Sequence, residues 1–295
     1  MAASAKRIVL ITGGKPTSPP PPPHTLTHLT ATSGIGLELA AQLLARTHPT
    51  TYHVLLGARN PTKGASVLST IQSRNPNPDS PGTAEVLHLD VTSDTTITAA
   101  AAHVRRAHGR LDILVNNAGT AAIDGHDAST PAGLRAQLRE SFDVNATGPA
   151  VVTAAFADLL LADHPNIPHQ EQDDAASQPP RRIINISSGA GSITRRLDPS
   201  SPIYALQATQ YRASKAALNM VTACQHVEFG AGAKGIKVHA YDPGFTVSNL
   251  GPPNRAENGG ARPASESVAP LVELLEGSRD GDEALFLHNS GAYPW

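Results

Sequence analysis

The feature that most constrains this chain is an alternation. Short runs of β-branched and aliphatic residues take turns with segments whose apolar residues recur at helical spacing. The runs are Ile8 to Thr12, Tyr52 to Gly57, Ala84 to Leu89 and Leu111 to Val115. Between them, Leu37 to Ala45, Pro61 to Arg74 and Ser93 to His108 read as helices, the last capped by Thr92 or Ser93. Strands alternating with helices in this way pair in parallel. The fold class expected is therefore α/β: a single-domain, doubly wound, mostly parallel sheet with helices on both faces. In such a sheet ligands bind beyond the carboxyl ends of the strands, and Gly13, Arg59, Asp90 and Asn117 all fall at such ends.

The second half continues the pattern. Pro131 to Asp163 reads as helix, interrupted by Asn145-Ala-Thr-Gly148, and His164 to Arg182 as a polar exposed loop. Ile183 to Ile186 is a fifth strand and Ile236 to Tyr241 a sixth, with a loop at Ala190 to Gln210 and a helix carrying Tyr211 between them. Val268 to Leu275 reads as helix and Glu283 to His288 as a last strand; Tyr293 to Trp295 is placed to cap the core or a pocket. No internal repeat or linker appears, so one domain is expected over residues 1–295.

Charge and cysteine content exclude several classes of function. A formal net charge of −2 leaves no electrostatic footprint for nucleic acid or an anionic membrane. The one cysteine, Cys224, rules out an internal disulfide and is expected on the apolar face of the Tyr211 helix. The apolar run Ile8 to Ile11 is too short for a signal core or a membrane span. A reducing, cytoplasmic location is expected, and the sequons at Asn145 and Asn185 then carry no glycan.

The first strand ends in Gly13-Gly14, and Ser33-Gly-Ile-Gly36 opens the first helix. Strand, glycine turn and helix make a dinucleotide-binding unit, in which glycines admit a pyrophosphate and the helix N-terminus attracts its charge. Between the two halves lies Lys15 to Ala31, 17 residues containing the run Pro19 to Pro23. Such a run joins neither strand nor helix and should loop out. Gly14-Lys15 is not a nucleotide P-loop, because no hydroxyl residue follows the lysine. His24 and His28 have metal-like spacing, but no metal is expected in this segment. A retained intron is one explanation of it. Gly14-Lys15 can be encoded by a splice donor, Leu26-Thr27 or Leu29-Thr30 by a branch point, and Thr30-Ala31 by an acceptor in matching phase. The second strand ends in Ala58-Arg59, with no acid to hold ribose hydroxyls. A guanidinium suits a 2′-phosphate, so NADP(H) is expected over NAD(H).

Tyr211-Arg-Ala-Ser-Lys215 sets a phenol and an ammonium one helical turn apart on one face. A lysine so placed lowers the pKa of a neighbouring phenol from about 10, towards proton transfer at cellular pH.

With these parts in order, the chain resembles the short-chain dehydrogenase/reductase family, nearest its carbonyl-reductase-like branch, over almost its whole length. The resemblance rests on Tyr211 and Lys215, on Asn116-Asn-Ala-Gly119, on Asn185-Ile-Ser-Ser188 and on Asp242-Pro-Gly244. It implies a Rossmann fold and NADPH-dependent reduction of a small-molecule ketone or aldehyde to an alcohol, reversibly. Tyr211 would be the general acid and Ser188 the hydrogen-bond donor to the reacting oxygen. Lys215 would bind the nicotinamide ribose and tune Tyr211, and Asn145 would position a water that relays protons to Lys215. Gly13, Ser33, Gly34, Ile35 and Gly36 would form the phosphate turn, and Asp90 and Val91 would hold the adenine. Asn117 would lie along the cofactor, with Pro243, Gly244, Thr246 and Ser248 at its nicotinamide end. A homodimer or homotetramer through helices beside the site is implied as well, although some carbonyl reductases are monomers. One departure matters: the family's TGxxxGxG turn has three residues between its first two glycines, and this chain has 20 between Gly13 and Gly34. A non-catalytic NADP(H)-binding sensor, or an inactive product of a gene model retaining the intron, are the competing expectations.

Overall fold

The computed structural model describes residues 6–13, 34–47, 50–73, 80–121, 127–162, 179–230, 235–255, 259–282 and 285–295. The insertion at 15–31, with His24 and His28, and Ser33 lie outside the described residues.

Eight strands form one sheet in the order β3-β2-β1-β4-β5-β6-β7-β8. They are β1 (Arg7–Ile11), β2 (Tyr52–Ala58), β3 (Thr83–His88), β4 (Ile113–Asn116), β5 (Arg182–Ile186), β6 (Lys237–Asp242), β7 (Phe286–His288) and β8 (Gly291–Ala292). The first seven pair in parallel. The α-helices are α1 (Ile35–Ala45), α2 (Pro61–Ser73), α3 (Asp94–Ala107), α4 (Pro131–Phe142), α5 (Gly148–Leu161), α6 (Ile193–Leu197), α7 (Thr209–Gln225) and α8 (Ala264–Glu276).

Burial on both faces explains why the strands read as unbroken apolar runs. Along β1, Ile8 and Leu10 face a core shared with Ile97 and Val104 of α3 and Val152 and Phe156 of α5. Val9 and Ile11 face the opposite way, onto Leu39 and Leu43 of α1 and Val268 and Leu271 of α8. Ser93, not Thr92, caps α3, accepting from the Thr96 N–H.

Four details differ from the expectations. The last parallel strand is only Phe286–His288, and an antiparallel partner, β8, follows it. The segment after β5 contains a 3₁₀ turn at Gly189–Gly191 and the short helix α6, where a loop was expected. Asn145 interrupts the long helix without breaking it: Asp143–Thr147 is one π-helical turn joining α4 to α5. Cys224 is exposed rather than on the buried face of α7, because Leu218, Thr222 and Gln225 define that face.

The run Pro131–Leu161 is long and apolar enough to cross a bilayer by length and composition. Here Val152, Phe156, Leu159 and Leu160 are buried in the core against the sheet. The tail does cap the core: the Trp295 ring stacks on Phe286 at 5.3 Å, and its carbonyl accepts from the Thr194 N–H at 3.0 Å.

Candidate active site

Strand order reverses between β1 and β4, so the crossovers leaving their carboxyl ends run to opposite sides. A cavity of about 500 Å³ opens there. It collects residues from seven separate stretches of sequence, from Ile11 to Asn254.

The floor is held by side chains bridging strand ends. Thr12 Oγ accepts from the N–H groups of Asn117 (2.9 Å) and Ala118 (3.0 Å), while the Asn117 amide donates to the Thr12 carbonyl (2.8 Å). Asn116 donates to Thr153 and to Asn185 (2.8 Å), and Asn185 donates onward to Thr222 and Gln225. This buried polar chain fixes β4 and β5 to α5 and α7, and with them the residues that follow each strand. Asn145 and Asn185 are fully buried.

On the phosphate side, Gly34 adopts φ +137, a conformation L side chains rarely take, and precedes the first turn of α1. A Cβ on Gly36 would stand 2.4 Å from Asn117 Nδ2, so only glycine lets α1 approach β4 this closely. Gly13, Gly34, Ile35 and Gly36 all line the cavity, as do Arg59 and, in the first turn of α2, Lys63. The Lys63 N–H is capped by the Asn60 side chain at 3.0 Å.

At the other end, α7 brings Tyr211 and Lys215 against the residues that end β5. The Ser188 side chain lies close enough to the Tyr211 phenol to act on its pKa. Lys215 Nζ lies 5.8 Å from the Tyr211 ring centroid and donates to the Ile186 carbonyl at 2.7 Å. Asp242, at the end of β6, accepts from the N–H groups of Gly189 and Gly244, each at 2.8 Å. Burial pushes the Tyr211 pKa well up, and the Asp242 charge adds to the rise, while the neighbouring Ser188 side chain opposes it. Burial pushes Lys215 down to about 8, against the pull of Asp242. The phenol is thus held protonated. The expected lowering by lysine is not found: burial sets the direction of the shift, and the ammonium is directed at the Ile186 backbone carbonyl.

Ser188, Tyr211, Lys215, Asn117, Pro243, Gly244, Thr246 and Ser248 join the glycines and Arg59 around the cavity. Asn145 lies just behind it. Its amide pairs with the Thr120 backbone in both directions and donates to Ser214 Oγ. The position of a Cβ on Gly119 would be 3.5 Å from Asn145 Oδ1 and 3.9 Å from Lys215 Nζ, so the two residues face one another across that glycine. Asp90 and Val91 follow β3 as expected but stand outside the cavity lining. The Asp90 carboxylate accepts from Thr92, and Val91 packs in the core close to Gly148. Among the lining residues given no site role from sequence are Lys63 and Asp242. Lys63 carried a signal, a second cation four residues after Arg59; Asp242 carried one too, an acid at a strand end within the Asp242-Pro-Gly244 motif.

The arrangement suits a nicotinamide dinucleotide. Glycines and the α1 N-terminus would take the pyrophosphate, and Arg59 and Lys63 a 2′-phosphate. Pro243 to Ser248 would meet the nicotinamide end, beside two hydroxyls placed to hold one oxygen.

The family model for short chain dehydrogenases matches residues 28–259. It takes up the chain after the proline run and leaves out β1, which the structure nonetheless places in mid-sheet between β2 and β4. The short-chain dehydrogenase/reductase eupG of a Phoma species is 36% identical, over 78% of this chain and 80% of its own. The short-chain dehydrogenase/reductase tropE of Talaromyces stipitatus is 31% identical, over 96% of this chain and 95% of its own. Among solved structures, the NADPH-bound carbonyl reductase from chicken fatty liver superposes with a TM-score of 0.69 at 30% identity, covering 98% of this chain and 99% of that one.

Proposed function

Since this chain belongs to the short-chain dehydrogenase/reductase family, we propose that it is an NADPH-dependent reductase of a small ketone or aldehyde, also able to run as an alcohol dehydrogenase. The observation that carries the reading is the Ser188–Tyr211–Lys215 cluster, closed into one cavity with the glycine turn.

A bound nicotinamide coenzyme supplies or accepts the hydride. The residues of the chain do the rest. Ser188 and Tyr211 present two hydroxyls to a carbonyl oxygen and stabilise the negative charge that builds there. Tyr211 then gives its proton to that oxygen; its raised pKa suits an acid that must keep its proton until the oxygen becomes basic. Lys215, facing Asn145 across Gly119, is placed to pass a proton back to the phenolate. In the oxidative direction Tyr211 must lose its proton first, so that direction is favoured as pH rises.

Arg59 and Lys63 support NADP(H) over NAD(H), because two exposed cations and the N-terminus of α2 flank the end of β2. The chicken carbonyl reductase, crystallised with NADPH, is in keeping with this choice.

The experiment is NADPH oxidation against a panel of small ketones and aldehydes, with Tyr211→Phe and NADH as comparators. Turnover should fall about 10²- to 10⁴-fold in Tyr211→Phe while NADPH fluorescence titration still shows binding. Equal turnover in the variant would overturn catalysis and favour a non-catalytic sensor. Equal efficiency with NADH would overturn the coenzyme preference.

A further inference from the structure

The sheet edge formed by β3 carries a second cluster, unrelated to the cavity. His53 of β2 pairs in register with Thr83 of β3, and Leu55 pairs with Glu85. Alternation therefore puts His53, Thr83 and Glu85 on one face. That face is the one α3 covers, and α3 ends there with His103 and His108 nearby. Ligand atoms of His53, Glu85 and His108 all lie within 4.8 Å of one another.

The distances are peculiar for hydrogen bonding. Glu85 Oε1 is 3.0 Å from His108 Nε2, 3.4 Å from His103 Nε2 and 3.7 Å from His53 Nε2. One carboxylate oxygen offers two lone pairs, so three imidazole N–H groups over-subscribe it. At 3.7 Å the His53 contact is too long for a hydrogen bond. His53 Nε2 is in fact buried with no hydrogen-bond partner, an arrangement that costs stability unless something else satisfies it.

A metal ion would gather these donors at separations near those observed. Donors held about 2.0–2.1 Å from a tetrahedral ion stand about 3.3–3.4 Å from each other. The His53 ring is also set up for ligation. Its Nδ1 lies 2.7 Å from Thr83 Oγ, which accepts from Lys6 Nζ at 3.3 Å. With Nδ1–H donated to that oxygen, the lone pair sits on Nε2, facing the cluster.

We propose that His53, Glu85 and His108 form a site for Zn²⁺, with water as the fourth ligand. Imidazole and carboxylate donors gathered within 4.8 Å of one another suit that ion. The site joins β2, the edge strand β3 and the end of α3, at the opposite end of β2 from Arg59. Its role is to hold the sheet edge, not to take part in hydride transfer.

The test uses untagged full-length protein, stripped with a chelator and titrated with Co²⁺ as a spectroscopic stand-in and then with Zn²⁺. The expected result is one equivalent of Co²⁺ with the intense visible bands of four-coordination, displaced by Zn²⁺, and a melting temperature raised by Zn²⁺. Glu85→Gln and His108→Asn should each weaken binding tenfold or more, and His88→Asn, outside the cluster, should not. Circular dichroism checks that the variants fold; if either does not, the wild-type spectrum and stoichiometry decide alone. No stoichiometric binding, a pale six-coordinate spectrum, a thiolate charge-transfer band from Cys224, or equal affinity in folded Glu85→Gln would each overturn the site.

Discussion

Lys215 shows what a buried active-site residue costs. Burial lowers its pKa from 10.5 to about 8. A base depressed in the folded state destabilises the fold wherever the folded chain must hold that proton. The cost is full below about pH 8, fades as pH rises towards the unfolded value of about 10.4, and is absent above it. At full extent it is on the order of 3 kcal/mol. Tyr211 sets the upper limit: its raised pKa contributes stability below about pH 10 that is lost as pH climbs further. The urea midpoint of the wild type should therefore rise between pH 8 and pH 10. Lys215→Met should lose that rise and lose turnover as well; a parallel slope in the variant would show that Lys215 is solvated. Asp242 acts on the same pair, since its charge raises the pKa of both Tyr211 and Lys215. In Asp242→Asn both groups should release protons more readily. The pH–rate profile for alcohol oxidation should then move to lower pH by on the order of one unit, and an unmoved profile would remove Asp242 from the tuning of the site. The YxxxK pair was legible because four residues span one helical turn. The rise in the Tyr211 pKa by burial was not, because it depends on atoms from β5, β6 and α7 together.

Elements meet here at distances that only certain residues permit. Gly36 lets α1 reach Asn117, which is itself held by Thr12. Gly36→Ala must displace that amide and break its 2.8 Å bond, opening the join between β1 and β4. Destabilisation of about 1–3 kcal/mol is expected, with NADPH affinity falling about tenfold, as a loss of about 1.4 kcal/mol in binding gives. Denaturant unfolding and fluorescence titration check the two separately, and unchanged affinity would mean the cofactor does not lie against this turn. The strands and long helices were legible from periodicity. The π turn at Asp143–Thr147 and the short helix α6 were not, because neither has a repeating pattern long enough to register. The His53–Glu85–His108 cluster was equally invisible, its members being brought together by the pairing of β2 with β3 and the return of α3.

At the scale of the molecule, the open issue is the stretch between Gly13 and Gly34. Both glycines line the cavity, with 20 residues of sequence between them. A long loop closes at little entropic cost, a doubling of length adding about 0.6 kcal/mol, so length alone does not forbid binding. Comparing NADPH affinity of the full chain with a form lacking Lys15 to Ala31 decides the matter. Equal affinity makes the segment a tolerated loop, which is the outcome expected from a cavity formed by Gly13 and Gly34 together. Binding by the shortened form alone would assign the activity to a spliced product. The sequence by itself determined the doubly wound sheet, its strand ends and the Tyr211 and Lys215 pair, because hydrophobic period and one-turn spacing are local properties of a chain, whereas Ser188 entered only through the family resemblance. Only the tertiary structure decided that Asp242 and Lys63 join the site, that Asp90 and Val91 stand outside the cavity lining, and that His53 Nε2 is left without a hydrogen bond. Those outcomes depend on which strands become neighbours, and burial and electrostatic environment are set by residues distant in sequence.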